Sequence, residues 1–279
     1  MQYGIELPNQ GVYGDIQTLV ELATLAEQMG WDGLFIWDCV LYGTDEAVVC
    51  DPWIALASIA VHTERLRFGA LMTPLSRRRP WNVARQTVAL DHLSHGRLIM
   101  GASIGDLHDR GFTHVGEVAD ARVRAEMLDE GLEILLGLWS GQKFNYDGKH
   151  YQIQEMTFLP PPVQSPRIPV WLGGYWPNKK PMRRAALFDG ICPGKVRSDG
   201  TPDDLTPTDV ENLKAYIASQ RTTDAPFDIV IGGQTAGADP VQAKTLVSSF
   251  ARAGATWWLE SAGAWPETLS LDTMRARIR

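Results

Sequence analysis

The chain has 279 residues, 44% of them hydrophobic, and a formal net charge of -7 at pH 7. This length suits one large domain, and the acidic balance excludes the basic face that a nucleic-acid partner would need. Three scattered cysteines exclude a disulfide framework and a cysteine-rich metal site. Because there is no signal-peptide pattern and no apolar run that could span a bilayer, we expect a cytoplasmic protein without membrane, nucleic-acid or metal partners.

In chain order, short apolar runs alternate with helical patterns. Tyr3–Leu7 and Gly33–Trp37 are predicted strands, and between them a helix begins after Asp15 and ends near Met29. The stretch Leu66–Gly105 then holds a strand, a helix and a second strand in direct succession. A parallel strand pair joined by a helix is a βαβ unit, which predicts a mainly parallel sheet.

The boundaries inside that stretch are well marked. Its first strand is Leu66–Thr73, and Pro80 then stands at a helix start, where its missing N–H is not needed. His95-Gly96 ends this helix, and Arg97–Ser103 is the next strand. If the strands form a parallel barrel, functional residues are expected just after them, at 73–79 and 103–108.

The alternation is interrupted after a long predicted helix, Ala121–Trp139. Asp147-Gly148, between two β-prone runs, predicts a hairpin turn, and the prolines from Pro160 to Pro169 predict a stiff extended connector. We interpret residues 140–168 as an insertion before the fifth strand, within a single domain that spans 1–279.

After this insertion four further strands are predicted, each followed by a helix. They are Val170–Leu172, which ends at Gly173-Gly174, and Asp189–Pro193, Asp228–Gly232 and Ala255–Glu260. Eight βα units in a chain of this length predict a closed (β/α)8 barrel, or TIM barrel. An open doubly-wound sheet is the alternative, but the turn after the first strand lacks its G-x-G-x-x-G pattern.

Residues just beyond the predicted strand ends are the candidates for chemistry. They are Asn9, Asp38, Cys39, Thr73, Arg77–Arg79, Ser103, Asp106, His108, Gly173, Gly174, Lys195, Gln234, Glu260 and Ser261. Among them, Asp106 and His108 form either an acid/base pair or a loop cap. Cys39 is either a small core residue or a pocket wall beside Asp38.

Two segments offer positive charge or free N–H groups to an anion. Gly173-Gly174, followed by a helix near Asn178, either binds a phosphate or is a plain turn between strand and helix, and Lys179 adds charge there. The basic loop Arg77–Arg79 is either solvated or holds the anionic tail of a ligand.

A family resemblance is carried by two longer stretches. The sequence resembles the bacterial luciferase-like family of flavin-dependent monooxygenases and oxidoreductases in GALMTPLSRRRPWNVARQTVALDHLSHGRLIMGASIG and, downstream, in VWLGGYWPNKKPMRRAALFDG. The likeness runs from Tyr3 to about Gly194 and is most specific between Thr87 and Gly101.

The resemblance implies a (β/α)8 barrel that uses either FMN, reduced by a separate flavin reductase, or coenzyme F420. It implies a bulge at Leu71–Thr73 behind the cofactor ring, often with a non-proline cis peptide bond, and a small organic substrate. A homodimer is expected as well. The cofactor-binding residues would be Asp38, Leu71, Met72, Thr73, Ser103, Gly105, Gly173, Gly174, Asn178 and Lys179.

One position departs from the family pattern. Many members carry Asp-His at the end of the second strand, where this chain has Asp38-Cys39. A thiol is a poor substitute for an imidazole in proton transfer at neutral pH. The candidates for catalysis are therefore Cys39 itself, Asp106 and His108, unless the reaction needs no such group.

Three functions are compatible with the sequence. The first is an oxidoreductase that oxygenates a small substrate with reduced FMN and O2, or transfers a hydride with F420, whose polyglutamate tail would suit Arg77–Arg79. The second is a flavin-binding barrel that has lost catalysis, which the absent histidine motivates. The third is a lyase in which Lys195 forms a Schiff base, which requires a lowered lysine pKa.

Overall fold

Strands and helices alternate through most of the computed structural model, which describes residues 1–43, 47–197, 199–237, 239–263 and 268–279. The strands are β1 Gln2–Leu7, β2 Gly33–Ile36, β3 Arg67–Ala70, β4 Thr73–Pro74, β5 Met100–Ser103, β6 Lys143–Asp147, β7 Gln152–Thr157, β8 Val170–Trp176, β9 Gly190–Val196, β10 Pro202–Asp203, β11 Asp228–Gly233 and β12 Trp257–Ser261. The α-helices are α1 Ile16–Gln28, α2 Pro52–His62, α3 Pro80–Leu93, α4 Arg110–Thr113, α5 Ala121–Trp139, α6 Lys179–Ala185, α7 Pro207–Gln220, α8 Pro240–Ala253 and α9 Leu271–Ile278.

Several helix starts follow directly from the local sequence. The Asp15 side chain accepts a hydrogen bond from the Thr18 N–H at 2.8 Å, and Asp51 accepts from the Trp53 and Ile54 N–H groups at 2.9 and 3.0 Å. Proline stands in the first turn of α2, α3, α7 and α8. These residues satisfy or remove backbone donors that a helix start leaves unpaired, so the sequence fixes where the helices begin.

The parallel strands close into a ring. Their hydrogen-bonded order is β3, β2, β1, β12, β11, β9, β8, β5 and β4. β3 and β4 are two halves of one broken strand, and a parallel bridge between Phe68 and Leu98 joins β3 to the start of the β5 segment. Within the described part of the chain the ring therefore has eight positions, which confirms the predicted (β/α)8 barrel.

Two apolar cores lie on the two faces of this ring. The larger one packs the helices against the outside of the strands, as alternate strand residues such as Ile5 and Leu7 show. The smaller one fills the inside and contains Phe35, Leu71, Ile99, Trp171, Val230, Trp257 and Leu259. The rings of Phe35, Trp171 and Trp257 lie 5.2–5.7 Å apart and form an aromatic floor beneath the upper end of the barrel.

Two predicted strands differ in the structure. The third strand is interrupted between Ala70 and Thr73, where the Leu71–Met72 peptide bond is cis, as the family resemblance implied. β8 continues through Gly173 and Gly174 to Trp176, because both glycines pair in register with Cys192 and Pro193 of β9. The predicted turn at Gly173-Gly174 is therefore wrong, and the turn lies at Pro177-Asn178.

An antiparallel hairpin, β6 and β7, stands between α5 and β8. Asp147 pairs with Gln152, so the loop has four residues rather than the two of a minimal Asp-Gly turn, and the Gly148 N–H donates to the Tyr151 carbonyl at 2.9 Å. The hairpin is fastened to α5 by Glu130, which accepts from the backbone N–H groups of Lys149 and His150. The interpretation of residues 140–168 as an insertion within one domain stays a prediction.

Candidate active site

A cavity of about 580 Å³ opens at the carboxyl ends of the barrel strands. Its wall has apolar, polar and glycine residues. The apolar ones are Leu71, Met72, Pro193, Val230 and Leu259, and the polar ones are Glu6, Cys192, Asp204, Gln234 and Ser261. The glycines are Gly232, Gly233 and Gly263. Active sites of (β/α)8 enzymes lie at this end of the barrel, and pockets of this volume bind small molecules. The cavity is therefore the candidate active site.

Glu6 brings a carboxyl group into the cavity from β1. Trp37 Nε1 donates to Glu6 Oε1 at 3.2 Å. Burial raises the pKa of Glu6 to about 7, although the Trp37 bond lowers it. A carboxyl group with this pKa exchanges a proton near neutral pH, which suits a general acid or base. Glu6 is not among the candidates chosen from the sequence, because it lies within a strand and not after its end. A charged residue in an otherwise apolar run is the signal that could have identified it.

Glycines keep the upper end of the barrel open for a ligand. A Cβ atom at Gly173 would lie 3.0 Å from Met72 Cγ and 3.2 Å from Ser103 Cβ, and one at Gly232 would lie 3.2 Å from Glu6 Oε2. Any side chain at these two positions would thus press on residues of the cavity or its rim. Leu71, Met72, Val230 and Leu259 give the cavity an apolar wall, which is typical of pockets for small organic molecules.

Thr73 follows the cis bond and is fully buried. It pairs in register with Ala102 of β5, and its hydroxyl has no hydrogen-bond partner among the described residues. Leu71 and Met72 line the cavity, whereas Thr73 is not among the lining residues. The predicted cofactor contact of Leu71 and Met72 is therefore compatible with the structure, and that of Thr73 stays a prediction.

The Asp38 cluster, made of Asp38, Arg77, Arg78 and Asp109, lies beside the ends of β2 and β4. The Arg78 guanidinium donates to both Asp38 oxygens at 2.8 and 2.6 Å, and Arg77 pairs with Asp109 and donates to the Asp38 carbonyl at 3.0 Å. The side chains of Asp38 and Arg77 are 1% and 7% exposed. These contacts show that Arg77 and Arg78 stabilise the fold and are not a free basic loop.

Asp109 also holds the loop after β2. Its carboxylate accepts from the backbone N–H groups of Val40, Leu41 and Gly111 at 2.9–3.2 Å. Burial raises the pKa of Asp109, but these bonds and Arg77 outweigh burial and bring it below its ordinary value. The ionised carboxylate is therefore part of the native structure.

Cys39 is fixed in a polar environment away from the cavity wall. Its Sγ donates to Asn9 Oδ1 at 2.8 Å, and the Asn9 amide donates to the Cys39 and Cys50 carbonyls at 2.9 and 2.8 Å. Burial, with the nearby charges of Asp109 and Asp38, raises the pKa of the Cys39 thiol to about 12. A thiol held in its protonated form is neither a nucleophile nor a base, so the structural reading of Cys39 is favoured over the catalytic one.

Asp106 and His108 do form a pair. His108 Nδ1 lies 2.8 Å from Asp106 Oδ1, and the Tyr42 hydroxyl donates to Asp106 Oδ2 at 3.0 Å. The His108 side chain is 81% exposed. Burial raises the pKa of Asp106, but hydrogen bonds from His108 and Tyr42 bring it below its ordinary value. Neither residue lines the cavity, so this pair is better explained as a loop cap at its rim.

The loop after β5 is held in place by a residue that sequence reasoning missed. Arg124 of α5 is buried and donates to the Ile104 and Gly105 carbonyls at 3.0 and 2.9 Å. Gly105 has a φ of 80°, and Phe112 occupies the space that its Cβ would need. The Gly105 N–H donates to Ser103 Oγ at 3.0 Å. Gly105 is therefore required by backbone shape.

The predicted phosphate residues lie on different faces. Gly174 faces away from Gly173 and packs on α6, because a Cβ there would lie 2.5 Å from Pro181. Asn178 precedes α6 without a side-chain capping bond, and Lys179 Nζ lies 4.1 Å from the rings of both Trp176 and Tyr216. Phosphate binding by Asn178 and Lys179 stays a prediction.

Lys195 and Glu260 are both engaged in ion pairs. Lys195 Nζ lies 2.9 Å from Asp209 Oδ2 and 3.4 Å from Asp203 Oδ2, and the hydrogen bond to Asp209 raises the lysine pKa. A Schiff-base lysine needs the opposite shift, so the lyase interpretation is wrong on this point. Glu260 is buried and pairs with Arg277 of α9, outside the cavity.

Two predicted candidates, Gln234 and Ser261, do line the cavity. Among the described residues, no group of three or more His, Cys, Asp and Glu side chains is placed to hold a metal ion. No described helix combines the length and apolar character needed to cross a membrane. The polar side chains that line the cavity are those of Glu6, Cys192, Asp204, Gln234 and Ser261.

Comparison with known proteins supports the family resemblance that the sequence indicated. An F420-dependent glucose-6-phosphate dehydrogenase from Microbacterium testaceum (strain StLB037) is 28% identical over 191 residues, which are 67% of this chain and 54% of that protein. The match thus spans about half the length of this relative.

Two solved structures share the fold along the whole chain. An F420-dependent secondary alcohol dehydrogenase, in complex with an F420-acetone adduct, has a TM-score of 0.76 at 16% identity and covers 100% of this chain and 99% of its own. The monooxygenase RslO1 from Streptomyces bottropensis has a TM-score of 0.72 at 19% identity and covers 100% and 98%. At these identities the likeness shows the fold alone.

The family itself is decided by the sequence match. The family model described as luciferase-like monooxygenase matches residues 1–267. This range includes all the strands of the barrel and every residue that lines the cavity. The prediction of a luciferase-like oxidoreductase is thereby confirmed at the level of the family. The chain belongs to the luciferase-like monooxygenase family.

Proposed function

We propose that this protein transfers a hydride between coenzyme F420 and a small organic substrate, with Glu6 as the proton donor or acceptor. The observation that carries the proposal is the Glu6 carboxyl group on the cavity wall, whose pKa burial raises to about 7. A group that gains and loses its proton near neutral pH is what an alcohol–carbonyl interconversion needs. The name of the 28% identical relative, an F420-dependent dehydrogenase, supports the choice of cofactor.

The residues of the cavity fit a flat ring system. Leu71, Met72, Val230 and Leu259 form the apolar part of the cavity wall, and this part is the slot in which a ring system would lie. The chemistry that a bound deazaflavin supplies is a two-electron hydride transfer, without a need for oxygen. The slot would orient the ring and exclude water from its reacting face.

Glu6 would act on the substrate rather than on the ring. In its ionised form it accepts the proton of a substrate hydroxyl as the carbon loses its hydride, and in its protonated form it returns that proton to a carbonyl oxygen. Trp37 holds one Glu6 oxygen by its indole N–H at 3.2 Å, which fixes the carboxyl group and leaves Oε2 free to face the cavity near Gly232.

Oxygenation with reduced FMN and O2 is the second candidate. It is supported by the family name and by the fold shared with a monooxygenase along the full chain. Cys39 stands where many members carry histidine, and its thiol pKa of about 12 leaves no proton-transfer group at that position. Either reaction would therefore need its proton from another residue, and Glu6 on the cavity wall is the group that we assign to hydride transfer. A separate flavin reductase and a homodimer stay predictions.

The test is a side-by-side titration of the purified protein with F420 and with FMN, in oxidised and reduced forms, followed by cofactor fluorescence. We expect F420 to bind in the micromolar range or tighter, and alcohols to reduce it under anaerobic conditions. Binding of FMN with oxygen consumption would support the monooxygenase instead. Binding of either cofactor without any turnover would support the non-catalytic interpretation, and binding of neither would refute the proposal.

A further inference from the structure

Charge on the cavity wall is unevenly distributed. Glu6 and Asp204 both line the cavity, on the β1 side and just after β10, and no lysine or arginine is among the lining residues. All lysines and arginines of the chain fall within the described residues, because the remaining positions are Thr44, Asp45, Glu46, Ser198, Ala238, Ala264, Trp265, Pro266 and Glu267. The uneven charge is therefore a property of the cavity wall as far as the structure describes it.

Two cations that follow Pro193 of this wall in the sequence are held in ion pairs. Lys195, two residues beyond Pro193 of the lining, is paired with both Asp203 and Asp209. Arg197 Nη2 lies 2.9 Å from Asp203 Oδ1. Asp204 itself has no ion-pair partner in the described part of the chain, and Glu6 has only the neutral indole of Trp37.

We propose that the cavity selects neutral or positively charged alcohols and carbonyl compounds and rejects substrates that carry phosphate or carboxylate, with Asp204 as the specificity-determining residue. Two acidic side chains on a cavity wall without a basic residue create a negative potential. Apolar surroundings strengthen the field of the partly buried Glu6 once it is ionised, whereas Asp204 is exposed and its field is screened by solvent. An anionic substrate would have no basic group to bind. The substrate part of this inference rests on the proposed function, but the potential does not.

The F420-dependent relative of this chain is named for a substrate whose charge differs from that of the substrates proposed here. That protein is named for a sugar phosphate, and a phosphate ester carries negative charge at neutral pH. Recognition of such a group requires lysine, arginine or clustered N–H donors. Neither lysine nor arginine is among the described lining residues, so this cavity offers no charged group with which to bind the phosphate of such a substrate.

Cys192 provides a direct probe, because it lines the same cavity as Glu6 and Asp204. The rate of Cys192 modification is measured at pH 8 with two methanethiosulfonate reagents, the cationic trimethylammonium-ethyl and the anionic sulfonatoethyl forms. Each rate is divided by the rate of the same reagent with 2-mercaptoethanol. Peptide mass spectrometry separates Cys192 from Cys39 and Cys50, which are buried.

We expect the normalised rate ratio, cation over anion, to exceed one by on the order of tenfold. Asp204→Asn should lower the ratio severalfold. Asp224→Asn is the matched control, because it removes the same charge from an exposed loop, and it should leave the ratio unchanged. A ratio of one or less, or an Asp204→Asn ratio equal to that of the parent protein, would overturn the proposal.

A second reporter covers the case in which Cys192 does not react, since burial raises its thiol pKa. Ser261 lines the cavity from β12, so Ser261→Cys in a Cys192→Ser background presents a thiol from another wall. The same ratio and the same effect of Asp204→Asn are expected there. Neither measurement uses a cofactor or turnover. The charge of the cavity can therefore be tested even if F420 does not bind.

Discussion

Two regions at the upper end of the barrel treat ionisable side chains in opposite ways. In the Asp38 cluster each carboxylate is held by a guanidinium group and by further N–H donors, which are the Trp53 indole at Asp38 and backbone groups at Asp109. The Asp38 side chain is 1% exposed. On the cavity wall, Glu6 has a single indole donor and Asp204 has no basic partner among the described residues. The comparison teaches that a position at a strand end does not by itself separate structural from functional side chains, whereas an unpaired charge beside a cavity marks a candidate for function.

Removal of one cation from the Asp38 cluster should have the largest effect. Arg77→Ala leaves Asp109 buried without its charged partner, and we expect the free energy of unfolding to fall by about 3–5 kcal/mol. Urea denaturation measures this change. Arg79→Ala is the control, because Arg79 is exposed and its guanidinium lies over the Trp81 ring, 5.9 Å from the ring centroid. A similar small loss in both variants would show that the cluster does not stabilise the fold.

Glu6→Gln should have the opposite profile, with a loss of activity and no loss of stability. We expect kcat/KM with F420 to fall on the order of a hundredfold, because an amide cannot exchange the proton, while the affinity for F420 stays the same. Trp37→Phe keeps the carboxyl group but removes the bond that lowers its pKa, so the pH dependence of kcat/KM should move to higher pH. Full activity in Glu6→Gln would contradict the proposed role.

The raised pKa of Glu6 also predicts how stability depends on pH. The folded protein keeps the Glu6 proton up to about pH 7, whereas the unfolded chain releases it near the ordinary value of 4.5. Ionised Glu6 therefore destabilises the native state as pH rises through this window. The stability of Glu6→Gln relative to the parent protein should increase by roughly 2–3 kcal/mol between pH 5 and pH 8. A difference that is independent of pH would mean that Glu6 titrates normally.

Cys39→His tests whether the family histidine can be restored. Cys39 is buried and bonded to Asn9, so an imidazole would overfill the site, and we expect a loss of about 1–3 kcal/mol in the free energy of unfolding without a gain in activity. Cys39→Ser retains the donor at nearly the same size and should stay close to the parent protein. A clear rise in turnover for Cys39→His would show that this position can reach the substrate.

The smallest expected effect concerns Lys195. Its pKa is raised by Asp209, so the amine is protonated at neutral pH and cannot attack a carbonyl. After treatment with borohydride and a carbonyl compound, we expect no mass adduct on Lys195. An adduct would revive the lyase interpretation and would contradict the ion pairs seen in the structure.

The sequence by itself determined the barrel and its helix starts. Local signals, such as Asp51-Pro52 before α2 and the apolar runs of β1 and β2, act over a few residues and are readable without tertiary contacts. The bulge in the third strand and its cis bond were predicted from the family resemblance and not from a local signal. The two cavity candidates found beyond strand ends, Gln234 and Ser261, followed from their position in the βα repeat.

Only the tertiary structure decided which polar residues are paired. Arg77 and Asp109 are far apart in sequence, and Cys39 is bonded to Asn9 across two strand ends, so no local pattern shows that these groups are neutralised. The same holds for Glu6, whose carboxyl group titrates near neutral pH because of the residues that surround it. Burial and charge pairing arise from contacts between distant segments, which is why the site emerged only when the barrel had closed.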